Sequence, residues 1–132
     1  MKIREIMRPA RTVPIGASVK DAARIMNKHS IGSLIIFDEK KKSIAGIITE
    51  RDILEKVTAD DKIASKIKVD DIMTKNVISI SPEAYIDDAV YLFIQHKIKK
   101  LPVVENGELV GIVTSTDLIT NSSEVGQFYI FD

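Results

Sequence analysis

The sequence predicts an α/β fold of the α+β kind: two tandem β-α-β-β-α repeats packed sheet-to-sheet with pseudo-two-fold symmetry. Three observations predict it. First, four blocks recur in the same order. IREIM (3–7) returns as VDDIM (69–73), VKDAARIM (19–26) as IDDAVYLF (86–93), HSIGSLIIF (29–37) as HKIKKLPVV (96–104), and GIITERDIL (46–54) as GIVTSTDLI (111–119). The offset runs 66, 67 and 65 residues, so the small insertions fall between blocks and the chain is an internal repeat. Second, each copy shows the same succession of strand-like and helix-like patterns. Third, a three-stranded sheet with helices on one side leaves its other face open, and a second sheet closes it. The repeats read as 1–66 (with a connector) and 67–122, followed by a tail at 123–132.

The elements follow in order. Residues 12–15 and 77–80 read as short extended segments. Residues 18–28 place Val19, Ala22, Ala23, Ile25 and Met26 at helical spacing, with Ser18 and Asp21 as a capping box. In the second copy Ser81-Pro82-Glu83 reads as N-cap, first-turn proline and first-turn acid of a helix over about 83–96. That helix carries an apolar stripe at Ile86, Ala89, Val90, Leu92, Phe93 and Ile94, wider than one buried face needs. LIIF (34–37) and LPVV (101–104) suit buried strands, each turning back into IAGII (44–48) and LVGIV (109–113). Asn106-Gly107 is a strong hairpin signal. Second helices follow at 50–57 and 115–121, and the spacer 58–68 reads as an ordered connector. In the tail, Phe128, Tyr129, Ile130 and Phe131 are expected to dock on protein.

Composition narrows the function. The 132 residues are 45% apolar and 29% charged, which suits a folded domain. Nineteen basic and nineteen acidic residues cancel, which disfavours holding nucleic acid by charge alone. No apolar run approaches the roughly 20 residues of a membrane span, and MKIREIMRP lacks a signal core, so a cytoplasmic protein is expected. With no cysteine there is no thiolate nucleophile and no cysteine metal site. His29 and His96 end equivalent helices and read as dipole or packing residues. No catalytic constellation or metal cluster is visible, so no catalytic residue, metal or required cofactor is expected.

The motif that carries chemistry is Thr-x-x-Asp, at Thr49–Asp52 and Thr114–Asp117, each between a strand and a helix. Thr at the N-cap and Asp three residues on satisfy free backbone N–H groups. The same carboxylate can also accept two hydrogen bonds from a ribose diol.

Doubled units ending in Gly-h-h-Thr-x-x-Asp-h, with h apolar, resemble cystathionine β-synthase (CBS) domains, two of which form a CBS pair or Bateman module. The resemblance covers about residues 1–121. It implies a regulatory, energy-sensing and non-enzymatic module that binds an adenosine-type nucleotide, AMP, ADP or ATP, between the repeats and acts on a partner in trans. It also implies a homodimer, a disc of four CBS units, with no membrane role. Asp52 and Asp117 would hold ribose, and Thr49 and Thr114 ribose or phosphate. Adenine would lie against Thr12, Val13, Ile31, Ser33, Ile47 and Ile48 in one copy and Ser79, Ile80, Ile98, Lys100, Ile112 and Val113 in the other. Lys99 and Lys100, standing where the first copy has Gly32 and Ser33, would meet phosphates together with Arg51. The site holding Asp52 is thus expected to take the greater phosphate charge. The alternatives are a CBS dimerisation or interaction module that binds no ligand, and a binder of NAD, S-adenosylmethionine or nucleic acid.

Overall fold

A computed structural model describes residues 1–121, and the tail at 123–132 lies outside the described residues. The chain forms two compact units: Arg11–Val77, and Met1–Ala10 with the described residues from Ile78 onward. The sequence copies and the compact units therefore divide the chain at different places. Each opening Ile-Met block packs in the unit that carries the other copy's hairpin.

The first unit holds β1 (Thr12–Pro14), α1 (Val19–His29), β2 (Ser33–Asp38), β3 (Ser43–Thr49), α2 (Glu50–Ile53) and α3 (Val69–Ile72). Its sheet runs β1-β2-β3, with β1 parallel to β2 and β2 antiparallel to β3. The helical spacing read from the sequence buries Val19, Ala22 and Met26 beneath α1 and leaves Lys20, Arg24 and Lys28 exposed. They join Val13, Leu34, Ile36, Ile48, Val57, Val69 and Ile72 in one core. Only half of the expected capping box forms at α1. Ser18 Oγ accepts the Asp21 N–H at 3.0 Å, while the backbone around Ser18 bridges to Lys68. The second helix, expected over 50–57, is α-helical only to Ile53 and widens into a π-turn over Leu54–Thr58.

The second unit holds α4 (Ile86–His96), β4 (Lys100–Glu105), β5 (Glu108–Thr114) and α5 (Ser115–Asn121). β4 and β5 pair antiparallel around Asn106-Gly107, both at positive φ (52° and 79°), as a tight hairpin requires. Ile3, Ile6, Ile80, Ala89, Phe93, Leu101, Val103, Val113 and Leu118 form its core. Residues 1–10 are built into this unit. Ile3 N–H donates to Ala84 O at 2.8 Å, and Lys2 and Arg4 pair with Glu83 at 2.8 Å each, with Arg4 also on Glu105.

Two expectations are corrected here. The helix expected from 83 begins at Ile86. Ser81 Oγ takes the Glu83 N–H within a turn, and Asp88 caps the helix through the Tyr85 N–H at 2.8 Å. The extended segment at 77–80 makes only a single parallel bridge, Ile80 to Val103. The reason lies in Pro102. In the first unit Ile35 N–H donates to Arg11 O at 3.1 Å to extend the parallel ladder, and Pro102, in the equivalent place, has no N–H to give.

Candidate functional site

Both Thr-x-x-Asp motifs sit where a strand turns into a helix. In the first repeat, Asp52 Oδ2 accepts the Thr49 N–H at 2.9 Å and the Thr49 hydroxyl at 3.1 Å, while Thr49 Oγ1 accepts the Asp52 N–H at 3.1 Å. In the second, Asp117 Oδ2 accepts the Thr114 N–H at 2.9 Å and Thr114 Oγ1 accepts the Asp117 N–H at 3.2 Å. These are reciprocal capping boxes.

The other carboxylate oxygen faces a cation, and here the repeats differ. Lys56 Nζ lies 3.2 Å from Asp52 Oδ1 and also donates to Ile72 O at 2.9 Å. Arg8 Nε lies 3.0 Å from Asp117 Oδ1. Thr74 stands in the place of Arg8, and Asn121 in the place of Lys56. Asn121 is too short to reach the carboxylate, and its amide donates to the Asp117 carbonyl at 2.7 Å. The backbone around these residues is equivalent. Arg8 exchanges two hydrogen bonds with Ile112 at 2.9 and 2.8 Å, and Thr74 exchanges two with Ile47 at 2.9 and 3.0 Å. Sequence reasoning missed both cations. The i,i+4 spacing of Asp52 and Lys56 was a usable signal. Nothing local connects Arg8 to Asp117.

The remaining candidates separate by burial. Val13 and Ile48 belong to the first core, and Ile80 and Val113 to the second, so their side chains pack among apolar neighbours. Ile31 and Ile98 are half-buried and close the ends of α1 and α4: their N–H groups donate to Met26 O at 3.0 Å and Phe93 O at 3.1 Å. Ser30 and Lys97 just before them adopt the left-handed conformation, which makes both ends Schellman caps. Thr12 and Ser79 are exposed, Ser33 is buried, and Ile47 and Ile112 are half-buried. Arg51 pairs with Glu55 on its own turn at 2.7 Å and is otherwise exposed. Lys99 is exposed. Lys100, half-buried, stands opposite Thr114 in the ladder, as Ser33 stands opposite Thr49. A pocket of about 420 Å³ opens beside α1 and α2, lined in part by Ile31, Gly32 and Glu50.

His29 ends α1 as expected, but burial, then Arg11 and Lys28, hold its pKa below the usual value.

The CBS domain family model matches residues 3–59 and 69–124. Among curated relatives, an uncharacterised protein of Methanopyrus kandleri is 39% identical over 113 residues, which cover 83% of this chain and 57% of that protein. The chain thus spans little more than half of that relative. The inosine-5'-monophosphate dehydrogenase of Korarchaeum cryptofilum is 38% identical over 119 residues, but those make up only 23% of the enzyme. Among solved structures, the hexameric CBS-CP12 protein from bloom-forming cyanobacteria is similar at a TM-score of 0.87 and 30% identity, covering 96% of this chain and 74% of that one. The CBS domain pair of protein MJ0100, in complex with 5'-methylthioadenosine and S-adenosyl-L-methionine, is similar at a TM-score of 0.81 and 34% identity, covering 91% and 94%. Among the described residues, no helix is long and apolar enough to cross a membrane.

Proposed function

Since this chain belongs to the CBS domain family, as a tandem CBS pair of the regulatory kind, we propose that it binds an adenosine-type ligand and changes its action on a partner in trans when it does. The observation that carries this reading is the doubled Thr-x-x-Asp box. Thr49–Asp52 and Thr114–Asp117 each hold one carboxylate oxygen rigidly in a cap and leave the other to a cation. A ribose diol can share such a carboxylate, because each of its oxygens accepts more than one hydrogen bond. The likeness to a CBS pair in complex with two adenosine derivatives supports the same ligand class. AMP, ADP and ATP are the leading candidates, ahead of S-adenosylmethionine and NAD, with Arg51, Lys99 and Lys100 as candidate phosphate donors. Thr12, Val13, Ile31, Ser33, Ile48, Ser79, Ile80, Ile98 and Val113 are candidate base-side positions, acting mainly through their backbone where the side chain is core.

Thermal melts of the full chain across these ligands test the proposal. A ligand at a hundred times its Kd stabilises by about 2.7 kcal/mol. Melting curves unchanged by every adenosine derivative would reject it.

One further observation bears on assembly rather than on the ligand. Val90, Tyr91 and Ile94 form an exposed apolar face on α4, with Tyr91 64% and Ile94 73% exposed. A homodimer through this face is proposed whether or not a ligand binds. Light scattering distinguishes a dimer that Ile94→Glu dissociates from a chain that is monomeric throughout.

A further inference from the structure

The two Thr-x-x-Asp boxes look alike in sequence, but their surroundings do not carry the same charge. Lys56 is spent internally. Its ammonium sits between Asp52 Oδ1 and Ile72 O, so both acceptors belong to its own unit. Arg8 is different in three ways. It reaches Asp117 through Nε alone, at 3.0 Å, and Asp117 is its one ion-pair partner among the described residues. A guanidinium carries further N–H donors in a rigid fork, so engaging Nε leaves the outer ones available. The side chain is 58% exposed while its backbone is pinned to Ile112 by two hydrogen bonds, so the fork is anchored but accessible.

We infer that Arg8 sets the specificity of the second-repeat site. It turns the Thr114–Asp117 box from a simple diol acceptor into one that selects a phosphate monoester. With one lone-pair direction of Oδ1 taken by Arg8, a bare ribose gains less from Asp117. An anion gains a charge-assisted, fork-shaped donor held beside the box. The phosphate preference that the lysine asymmetry alone would give to the site of Asp52 then falls to the second repeat instead. The inference rests on the proposed adenosine-type ligand, and its test separates the two.

The test is calorimetry of AMP and adenosine on the full chain in an Asp52→Ala background, with Arg8 intact, Arg8→Ala and Arg8→Lys. Arg8 makes its bridge through backbone groups, so Arg8→Ala retains those bonds, and circular dichroism with a melt verifies the fold. Arg8→Ala is expected to lower AMP affinity about tenfold or more, the worth of a charged hydrogen bond, and to leave adenosine affinity equal or higher. Arg8→Lys should recover only part of the loss, because a point charge lacks the fork. An AMP-to-adenosine affinity ratio unmoved by Arg8→Ala would overturn the inference. If neither compound binds the chain with Arg8 intact, the nucleotide reading fails by itself. Inorganic phosphate, followed through the Arg8 Nε–H resonance, then decides the inference: a saturable shift keeps it as an anion site, and an unmoved resonance ends it.

Discussion

Met73 lies against Gly46 so closely that a Cβ on the glycine would stand 2.5 Å from the methionine sulfur and 2.8 Å from the Thr74 carbonyl oxygen. The same relationship recurs at Gly111, where a Cβ would meet Arg8 O at 2.9 Å and Met7 Sδ at 3.1 Å. The recurrence of both the Ile-Met block and the glycine is thereby explained. The block from one copy crosses the hairpin strand of the other, and only a residue without a side chain lets the backbones meet. Gly46→Ala is expected to destabilise by about 1–3 kcal/mol, the usual range for overpacking. Gly111→Ala should cost less, its contacts being looser. Urea denaturation of the two variants checks the order, and equal stability with the parent chain would refute the close-approach account.

The caps predict a stability effect that needs no ligand. Thr49→Val and Thr114→Val each remove a hydroxyl that accepts a helix N–H, and each is expected to cost about 0.5–2 kcal/mol. Thr→Ser at the same positions should restore most of it. Measured without nucleotide, this cost separates the structural role of the boxes from binding.

Lys97 predicts a gain. It sits at φ 54°, ψ 44° just past α4, a conformation that costs a residue with a Cβ and suits glycine. Lys97→Gly is expected to raise stability by up to about 1 kcal/mol, visible as a higher urea midpoint at unchanged slope. Ser30→Gly, at φ 53° after α1, should act in the same direction. A fall in the midpoint for both would contradict the assignment.

The Lys2–Glu83–Arg4 network predicts an acid-side pH dependence. Hydrogen bonds from Lys2, then Arg4, hold the Glu83 carboxyl below its ordinary value of 4.5. A carboxyl whose pKa is lowered by folding contributes stability above its unfolded value and loses it as pH falls through the folded value. The parent chain should therefore exceed Glu83→Gln in stability at neutral pH, and the two should converge below the usual carboxylate range. The network is exposed, so the difference should shrink with salt. A difference constant from pH 7 to pH 3 would show that Glu83 acts by packing alone.

Much of the fold was legible because its signals are local. Helical spacing at Val19–Met26, the apolar runs of the strands, and the Asn106-Gly107 turn each state their conformation within a few residues. The errors came where a distant residue intervened. Residues 77–80 look extended, but the ladder they would join lacks a donor at Pro102. Ser81-Pro82-Glu83 looks like a helix start, but the Arg4 N–H donates to Pro82 O at 2.9 Å and Glu83 is held by ion pairs to Lys2 and Arg4.

The candidate site divides along the same line. The two Thr-x-x-Asp boxes are legible in the residues alone, because a cap is made by residues three apart and needs nothing else. The internal repeat is legible in the same way, because its matching blocks are visible without coordinates. The cation that faces Asp117, by contrast, is fixed by the tertiary fold alone. Lys56 reaches Asp52 across one turn of its own segment, whereas Arg8 reaches Asp117 because residues 1–10 fold into the unit of the second hairpin. Long-range pairing of that kind depends on where the backbone bridge between Arg8 and Ile112 brings the chain, and no spacing in the sequence records it.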